Sequence, residues 1–289
     1  MAEAVDPPFD RPDAGFNALE GWTWIGCYGG YYLQADLLSD FEHGFFTRQW
    51  QGRGLEVLAG YVSAGVSVHR PQQVHSALVL PASAASAEPW PEADGLVSDA
   101  GGQSLWVCGA DCTPVLLADP HSGLVAACLA GWRGVAGGIV LRAIERLEAL
   151  GCRRDALRVA LGPAVSGGHY QVEQAVAEQV AETLAAAMPG GLTEALAALE
   201  ACGALQADPD GVAGRVRLDI RLAQRLQLQW AGVDAHQISL CPLCTVAEPL
   251  LFHSWRRDQQ KAVQWSGIVS QQTDADWLTQ HLQGLTEAH

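Results

Sequence analysis

Two short apolar runs that meet at a corner of small residues are the strongest constraint on how this chain folds. Residues 105–108 (LWVC) and 115–118 (VLLA) are each long enough for one buried strand. The segment between them, GADCTP, contains the Gly and Pro that favour a turn. The pattern predicts two strands joined by a tight corner that presents Asp111 and Cys112. Because free Cys is most often a small buried hydrophobe, Cys112 by itself does not indicate chemistry.

Two further motifs give Cys112 a chemical context. The sequence QVH ends at His75, and AGWRG spans residues 130–134, each at the edge of a predicted strand. A Cys thiolate and a His imidazole are both good zinc ligands, and zinc lowers the pKa of bound water to about 7. The same pair also serves as a nucleophile and its base. From the residues alone, a metal site and a Cys–His nucleophile both stay open.

Eight motifs follow one another in the order typical of a single family. They are HGFFTR (43–48), QVH (73–75), DGLVSD (94–99), ADCTPVL (110–116), AGWRG (130–134), LGPA (161–164), CT (244–245) and FHSWRR (252–257). In these motifs the chain resembles the bacterial laccase-domain proteins, also called polyphenol oxidase-like proteins. The resemblance extends from about residue 43 to about residue 270.

The resemblance implies a fold and an activity. The expected fold is α/β (α+β layered), a single domain with mixed β-sheets flanked by helices. The better supported activity of the family is purine nucleoside phosphorylase, with adenosine deaminase activity beside it. Phosphate would attack C1′ of adenosine, inosine, guanosine or methylthioadenosine and release the base and ribose 1-phosphate. Multicopper oxidation is disfavoured, because the nine histidines include no H-x-H pair.

The family holds zinc with His, Cys and a second His, and this chain departs from that pattern. His75 and Cys112 match the first two ligands, but Leu129 stands where the second His belongs. Cys128 is adjacent, yet in a strand its side chain would point to the opposite face. The resemblance therefore implies a weak or uncertain zinc site. Two other histidines are alternative third ligands, His169 and His253.

Five further residues are predicted to belong to the site. By resemblance, Arg48 is catalytic and Arg133 binds substrate, and Arg133 precedes a predicted helix whose N-terminus would favour phosphate. Asp111 either orients an imidazole or ligand, or caps its own turn. Ser254 and Arg256, from the last motif, either contact substrate or are structural.

Charge and cysteine content exclude several partners. The 289 residues include 17 basic and 32 acidic side chains, a formal net charge of −15, which disfavours nucleic acid and anionic membranes as partners. The sequence contains neither an apolar run of about 20 residues nor a secretory signal pattern. Eight irregularly spaced cysteines indicate a reducing compartment, and Cys241-x-x-Cys244 lacks a second C-x-x-C pair. These features predict a cytoplasmic protein.

Apolar periodicity predicts the domain and its elements. We expect a loose tail over residues 1–20 and a single domain over residues 21–289. The predicted strands are a pair over 22–38 and single strands over 157–161, 237–241 and 263–270. The predicted helices run from about 135 to 150, 172 to 188 and 193 to 201, from the cap Asp219 to near Trp230, and over 274–285. A surface loop is predicted over 203–214.

The leading hypothesis is a purine nucleoside phosphorylase whose partners are a purine nucleoside and inorganic phosphate. Two alternatives remain. Because of Leu129, the chain is alternatively an impaired relative that binds a nucleoside or a partner protein. The Cys112–His75 pair also suits a Cys–His amide hydrolase.

Overall fold

Fifteen strands form in the part of the chain that the structure describes. The computed structural model describes residues 19–27 and 30–271, without the side chain of Cys27. The strands are β1 (Trp22–Cys27), β2 (Gly30–Ala35), β3 (His43–Phe46), β4 (Ser67–His69), β5 (Val79–Pro81), β6 (Gly95–Val97), β7 (Gln103–Gly109), β8 (Thr113–Ala118), β9 (Val125–Ala130), β10 (Arg158–Leu161), β11 (Gln171–Glu173), β12 (Leu205–Ala207), β13 (Arg215–Leu218), β14 (Ile238–Leu240) and β15 (Gln264–Val269).

These strands make two large mixed sheets and one small sheet. The first sheet has the order β1-β2-β3-β15-β7-β4, and only β4 and β7 pair in parallel. The second has the order β14-β10-β8-β9-β6-β5, with parallel pairs at both edges. The small sheet, β11-β13-β12, is antiparallel. The predicted layered α/β fold with mixed sheets and flanking helices is confirmed.

Seven α-helices lie within the same described ranges. They are α1 (Leu55–Val62), α2 (Trp132–Ala136), α3 (Ile139–Ala149), α4 (Gln174–Ala185), α5 (Gly191–Ala201), α6 (Ile220–Trp230) and α7 (Trp255–Asp258). Buried residues of α3, α4 and α6 pack in one core cluster with β8 and β9 of the second sheet. Helix α1 packs on the outer face of the first sheet, against Phe46, Trp50 and Trp106.

Side-chain alternation in the central strands builds two cores. In β8, Leu116 joins a core that also contains Leu105 and Ile268 of the first sheet, whereas Val115 and Leu117 face the helices. Successive side chains of a strand point to opposite faces, so one fully apolar strand can supply both layers. The two large sheets are therefore held face to face by the inner core.

Strand β9 follows the same rule at the predicted site. Leu129 belongs to the core between the sheets, and Cys128 belongs to the core beneath the helices. The Cys128 sulfur is 2.9 Å from the position that a Cβ on Gly95 would occupy. Cys128 thus points away from the face on which Leu129 lies, as predicted, and is no substitute for a ligand at position 129.

Most predicted elements are confirmed. The first strand pair is β1 and β2, and Asp219 caps α6 by accepting from the backbone N–H groups of Arg221 and Leu222. Two predictions are wrong. The helix after Gly134 is broken at Gly138, which has a left-handed φ of 67° and separates α2 from α3. The predicted loop over 203–214 contains β12, because pairing with β13 overrides its loop-like composition.

Two predictions fall largely outside the described residues. The predicted tail lies outside them except for residues 19 and 20, and the predicted helix over 274–285 lies outside them entirely. Among the described residues, none of the helices has the length and apolar character that crossing a membrane requires.

The buried His43 ring makes the free energy of unfolding depend on pH. Its ring accepts a hydrogen bond from the Ala35 N–H at 2.8 Å, and its other ring nitrogen lies 2.8 Å from the Phe41 carbonyl. Burial lowers the pKa of His43 to about 4, although the hydrogen bond to the Phe41 carbonyl favours the protonated ring. Between pH 6.5 and 4 the unfolded chain therefore binds more protons, and stability falls as the pH falls.

We expect His43 to cost the folded state about 3 kcal/mol between pH 7 and pH 4. Urea unfolding at several pH values measures this loss. The control is His43→Gln, whose side chain cannot titrate. Whatever its stability at pH 7, its free energy of unfolding should fall less between pH 7 and pH 4 than that of the wild type, by the loss expected from His43. If the free energy of unfolding fell by the same amount in both proteins, His43 would not be the cause of the pH dependence.

Candidate functional site

The corner between β7 and β8 carries the chain from one large sheet to the other. Asp111 has a left-handed φ of 91° at this corner. Its buried carboxylate accepts hydrogen bonds from the Thr245 hydroxyl and from the backbone N–H of Arg256, each at 2.6 Å. Asp111 thus joins the corner to two distant segments. Its carboxylate binds the first turn of α7 rather than its own turn, and its predicted role toward an imidazole or ligand stays a prediction.

The loop that bears His75 is held by a buried carboxylate. His75 is exposed and adopts a left-handed φ of 59°, which is rare for a residue with a Cβ. Asp94 is fully buried and accepts from the backbone N–H of His75 at 2.9 Å and of Ser76 at 2.6 Å. It also accepts from the Ser76 hydroxyl at 2.8 Å and the Val74 N–H at 3.3 Å. Four donors on one carboxylate fix the position of His75.

His75 and Cys112 meet beside Gly131. A Cβ on Gly131 would lie 2.7 Å from the Cys112 sulfur and 3.7 Å from Cδ2 of His75. The Cys112 sulfur and the His75 ring carbon therefore both lie within 4 Å of the same point beside Gly131. Glycine is required at position 131, because any side chain would collide with the sulfur. The structure brings the two residues together as predicted.

A cavity of about 560 Å³ opens above this pair. His75, Cys112 and Leu129 lie in its wall, together with the end of β7. Tyr170, α7 and the segment that follows α7 complete the lining. Its volume falls in the range typical of small-molecule sites, which is about 300–1,000 Å³. We take this cavity as the candidate active site.

The donors in this cavity do not fit a three-ligand zinc site. Leu129 occupies the third position with an apolar side chain, and burial raises the pKa of the Cys112 thiol to about 12, with the negative charges of Asp111 and Asp94 adding to the shift. Among residues 19–27 and 30–271, no group of three or more His, Cys, Asp or Glu side chains is arranged to hold a metal ion. His75 and Cys112 offer two donors, whereas catalytic zinc usually has three protein ligands.

One wall of the cavity is aromatic and positively charged. The Arg256 guanidinium lies 4.9 Å from the Tyr170 ring centroid and donates to the Gln171 carbonyl at 3.1 Å. Burial raises the pKa of Tyr170 to about 12, while the charges of Arg256 and Arg133 act in the opposite direction. Arg133 is exposed and its guanidinium stacks on Trp132 at 4.4 Å. It lies inside the first turn of α2, not ahead of the helix as predicted.

The other predicted residues lie outside the cavity lining. Arg48 donates to the Pro249 carbonyl at 2.6 Å. Ser254 is buried and caps α7 by accepting from the Arg257 N–H at 3.2 Å. His169 lies 3.7 Å from the Cys244 sulfur. His253 is buried, and burial lowers its pKa, helped by the charge of Arg48. Neither histidine joins His75 and Cys112.

Sequence reasoning assigned no role to four residues that matter at this site. They are Asp94, Tyr170, Trp255 and Lys261. Asp94 and Trp255 lie inside recognised motifs, but only the fold shows what they touch. Trp255 is 52% exposed at the cavity, an unusual setting for a large apolar ring. For Lys261 the sequence does offer a distinguishing feature, because it is the only lysine in the chain.

Comparison with known proteins identifies the family. The profile of the family described as multi-copper polyphenol oxidoreductase laccase matches residues 55–271. A purine nucleoside phosphorylase from Synechocystis sp. is 39% identical over 259 residues, which cover 86% of this chain and 97% of that protein. This chain belongs to the laccase-domain family. The resemblance found in its motifs is confirmed.

Solved structures agree on the fold. The hypothetical protein YfiH from Bacillus licheniformis superposes with a TM-score of 0.71, and YlmD from Geobacillus stearothermophilus with 0.70. Each is 24% identical in sequence, and each comparison covers 86% of this chain and 99% of the other. At this identity the likeness establishes the laccase-domain fold.

Proposed function

We propose that this laccase-domain protein is a purine nucleoside phosphorylase. Inorganic phosphate attacks C1′ of the nucleoside, the bond from C1′ to the base nitrogen breaks, and its electron pair leaves with the base, which takes up the proton of the hydrogen phosphate. The products are the free base and ribose 1-phosphate, or its methylthio form. The Synechocystis relative that carries this name spans most of the chain and supports the assignment.

The observation that carries the proposal is the composition of the 560 Å³ cavity. Trp255 and Tyr170 give the cavity aromatic rings on which a purine can stack, and Arg256, whose guanidinium lies over the Tyr170 ring, supplies a positive charge for phosphate. Phosphorolysis requires that two reactants be held in line and that developing negative charge be stabilised. Because a Leu stands at position 129, no step of this proposal depends on zinc.

The deciding experiment supplies adenosine, inosine, guanosine or methylthioadenosine with and without inorganic phosphate. We expect free base and ribose 1-phosphate, separated by chromatography, only when phosphate is present. Base release without phosphate would indicate hydrolysis and contradict the proposal. Nucleoside binding without any turnover would favour the impaired relative, which the incomplete ligand set of the site supports.

Adenosine deaminase activity should be weaker than phosphorolysis. Deamination relies on a metal-activated hydroxide, and two donors hold zinc less firmly than three. Conversion of adenosine to inosine in the same assay measures it. The Cys–His amide hydrolase is not favoured, because a Cys112 pKa of about 12 keeps the thiol protonated near neutral pH.

Two arginine variants test where phosphate binds. Arg256→Ala should raise the KM for phosphate by about 10- to 100-fold, the value of one charge-assisted hydrogen bond. Its backbone N–H still donates to Asp111, so α7 should keep its position. Arg133→Ala should raise the same KM less, since Arg256 lines the cavity and Arg133 does not. A larger effect at Arg133 would reverse this ranking.

The compartment we propose is the cytoplasm. All seven cysteines whose side chains are described are free thiols, which supports a reducing environment.

A further inference from the structure

The chain contains a single lysine, and it lies at the candidate active site. Lys261 is the only lysine among 289 residues, whereas all the other basic side chains are arginines. It lines the 560 Å³ cavity that contains His75 and Cys112. It also lines a neighbouring cavity of about 200 Å³, together with Arg53. The segment of residues 261–263 is the wall that the two cavities share.

A closed loop holds this segment in place. The His253 N–H donates to the Gln264 side chain at 2.8 Å, and the Gln264 amide donates back to the His253 carbonyl at 3.3 Å. These two bonds tie together the ends of the segment over residues 253–264, which contains α7. Within it, Gln259 takes a left-handed φ of 52° and ends α7. Arg256 and Lys261 both lie within this segment, and both line the cavity.

The charged side chains that line the 560 Å³ cavity favour binding of an anion. The cationic side chains in its lining are Arg256 and Lys261, and Asp111 is its only carboxylate. Both Asp111 oxygens already accept hydrogen bonds, from Thr245 and from the Arg256 backbone. The protein as a whole carries a formal net charge of −15, so an anion can bind only where local positive charge outweighs this net charge.

We propose that Lys261 binds the phosphate of the reaction together with Arg256, since both line the active-site cavity. This inference rests on the proposed phosphorylase function and extends it to a residue outside the recognised motifs. Arg256 supplies a planar donor fork, and Lys261 supplies a compact charge on a flexible stem. Together they hold a phosphate dianion while its oxygen attacks C1′.

A labelling experiment tests the contact without turnover. The full chain carrying Arg146→Lys is treated with an amine acetylating reagent, and the rate at each site is read by peptide mass spectrometry. Arg146 is exposed on α3 and lines neither cavity, so the new amine there is an internal reference. Saturating inorganic phosphate should slow acetylation of Lys261 by about tenfold or more and leave the reference unchanged. Chloride at equal ionic strength should not slow acetylation of Lys261 or of the reference amine.

Equal rates at Lys261 with and without phosphate would overturn the proposal. Arg256→Ala should weaken the protection. If Arg53→Gln abolishes protection and Arg256→Ala does not, phosphate binds in the 200 Å³ cavity and the assignment is wrong. Sulfate, which cannot react, should protect as phosphate does. Because protection is measured without nucleoside, it separates failure at Lys261 from failure of the phosphorylase function.

Kinetics provide the second arm. Lys261→Ala should raise the KM for phosphate about 10- to 100-fold and leave the KM for nucleoside within about twofold. Lys261→Arg keeps the charge and should recover most of the loss. Arg146→Ala removes the same charge from a remote surface and is the matched control. An unchanged KM for phosphate in Lys261→Ala, with normal turnover, would refute the contact.

Discussion

Asp94→Asn should lower kcat/KM about 100-fold or more and the free energy of unfolding by about 2–4 kcal/mol. The Asp94 carboxylate accepts four hydrogen bonds from the loop over residues 74–76. An amide of the same shape keeps one accepting oxygen and turns an N–H₂ group toward buried donors. The loop would then leave its position, and His75, whose left-handed backbone depends on it, would leave the side of Cys112.

Activity assays and urea unfolding on the same samples measure both effects. The control is Asp99→Asn, which changes the other acid of the same motif. Asp99 is exposed and bonds to Ser83 and Gln103 away from the cavity, so activity should stay within about threefold. Ser76→Ala removes one donor of the four and should show an intermediate loss. Equal activity in Asp94→Asn and wild type would remove Asp94 from the positioning of His75.

Leu129→His should raise zinc affinity about 100-fold or more. Zinc binding of 10–16 kcal/mol spread over four ligands gives about 3 kcal/mol for each, or roughly two powers of ten. The side chain at position 129 lines the same cavity as His75 and Cys112, so an imidazole there adds the missing donor. Because Cys112 must lose its proton to bind zinc, affinity should rise further with pH.

Equilibrium dialysis with zinc measures this affinity directly, and phosphorolysis is followed on the same proteins. Leu129→Phe is the matched control, since it adds a planar ring without a donor. Zinc binding by Leu129→Phe should equal that of the wild type. Tight zinc binding by the wild type itself would mean that another residue completes the site, and the interpretation of Leu129 would be wrong.

Much of the site was predictable because its residues lie in short, contiguous motifs. The apolar runs on either side of residues 109–114 predicted two strands and a corner, and these are the end of β7 and β8. The alternation rule predicts Cys128 and Leu129 on opposite faces of the strand, and the two cores confirm it. Local pattern is sufficient in these cases, because strand geometry fixes side-chain direction from one residue to the next.

Other features depend on contacts between segments far apart in sequence. Asp94 lies 19 residues from His75, and Asp111 bonds to Thr245 across 134 residues. No periodicity encodes such pairs, because they arise only when the two sheets pack and bring chain corners together. For the same reason β12 was predicted as loop, since three residues became a strand only through pairing with β13.

The sequence by itself therefore determined the family, the layered α/β class, the Cys112–His75 pair and the apolar residue at position 129, since each is written in residue identity and local spacing. The tertiary structure decided which side chains surround that pair. It assigned Asp94 to the His75 loop, Asp111 to the anchoring of α7, and Arg256 and Lys261 to the cavity. The physical reason is that a cavity is bounded by several distant segments, and only their packing sets the distances between them.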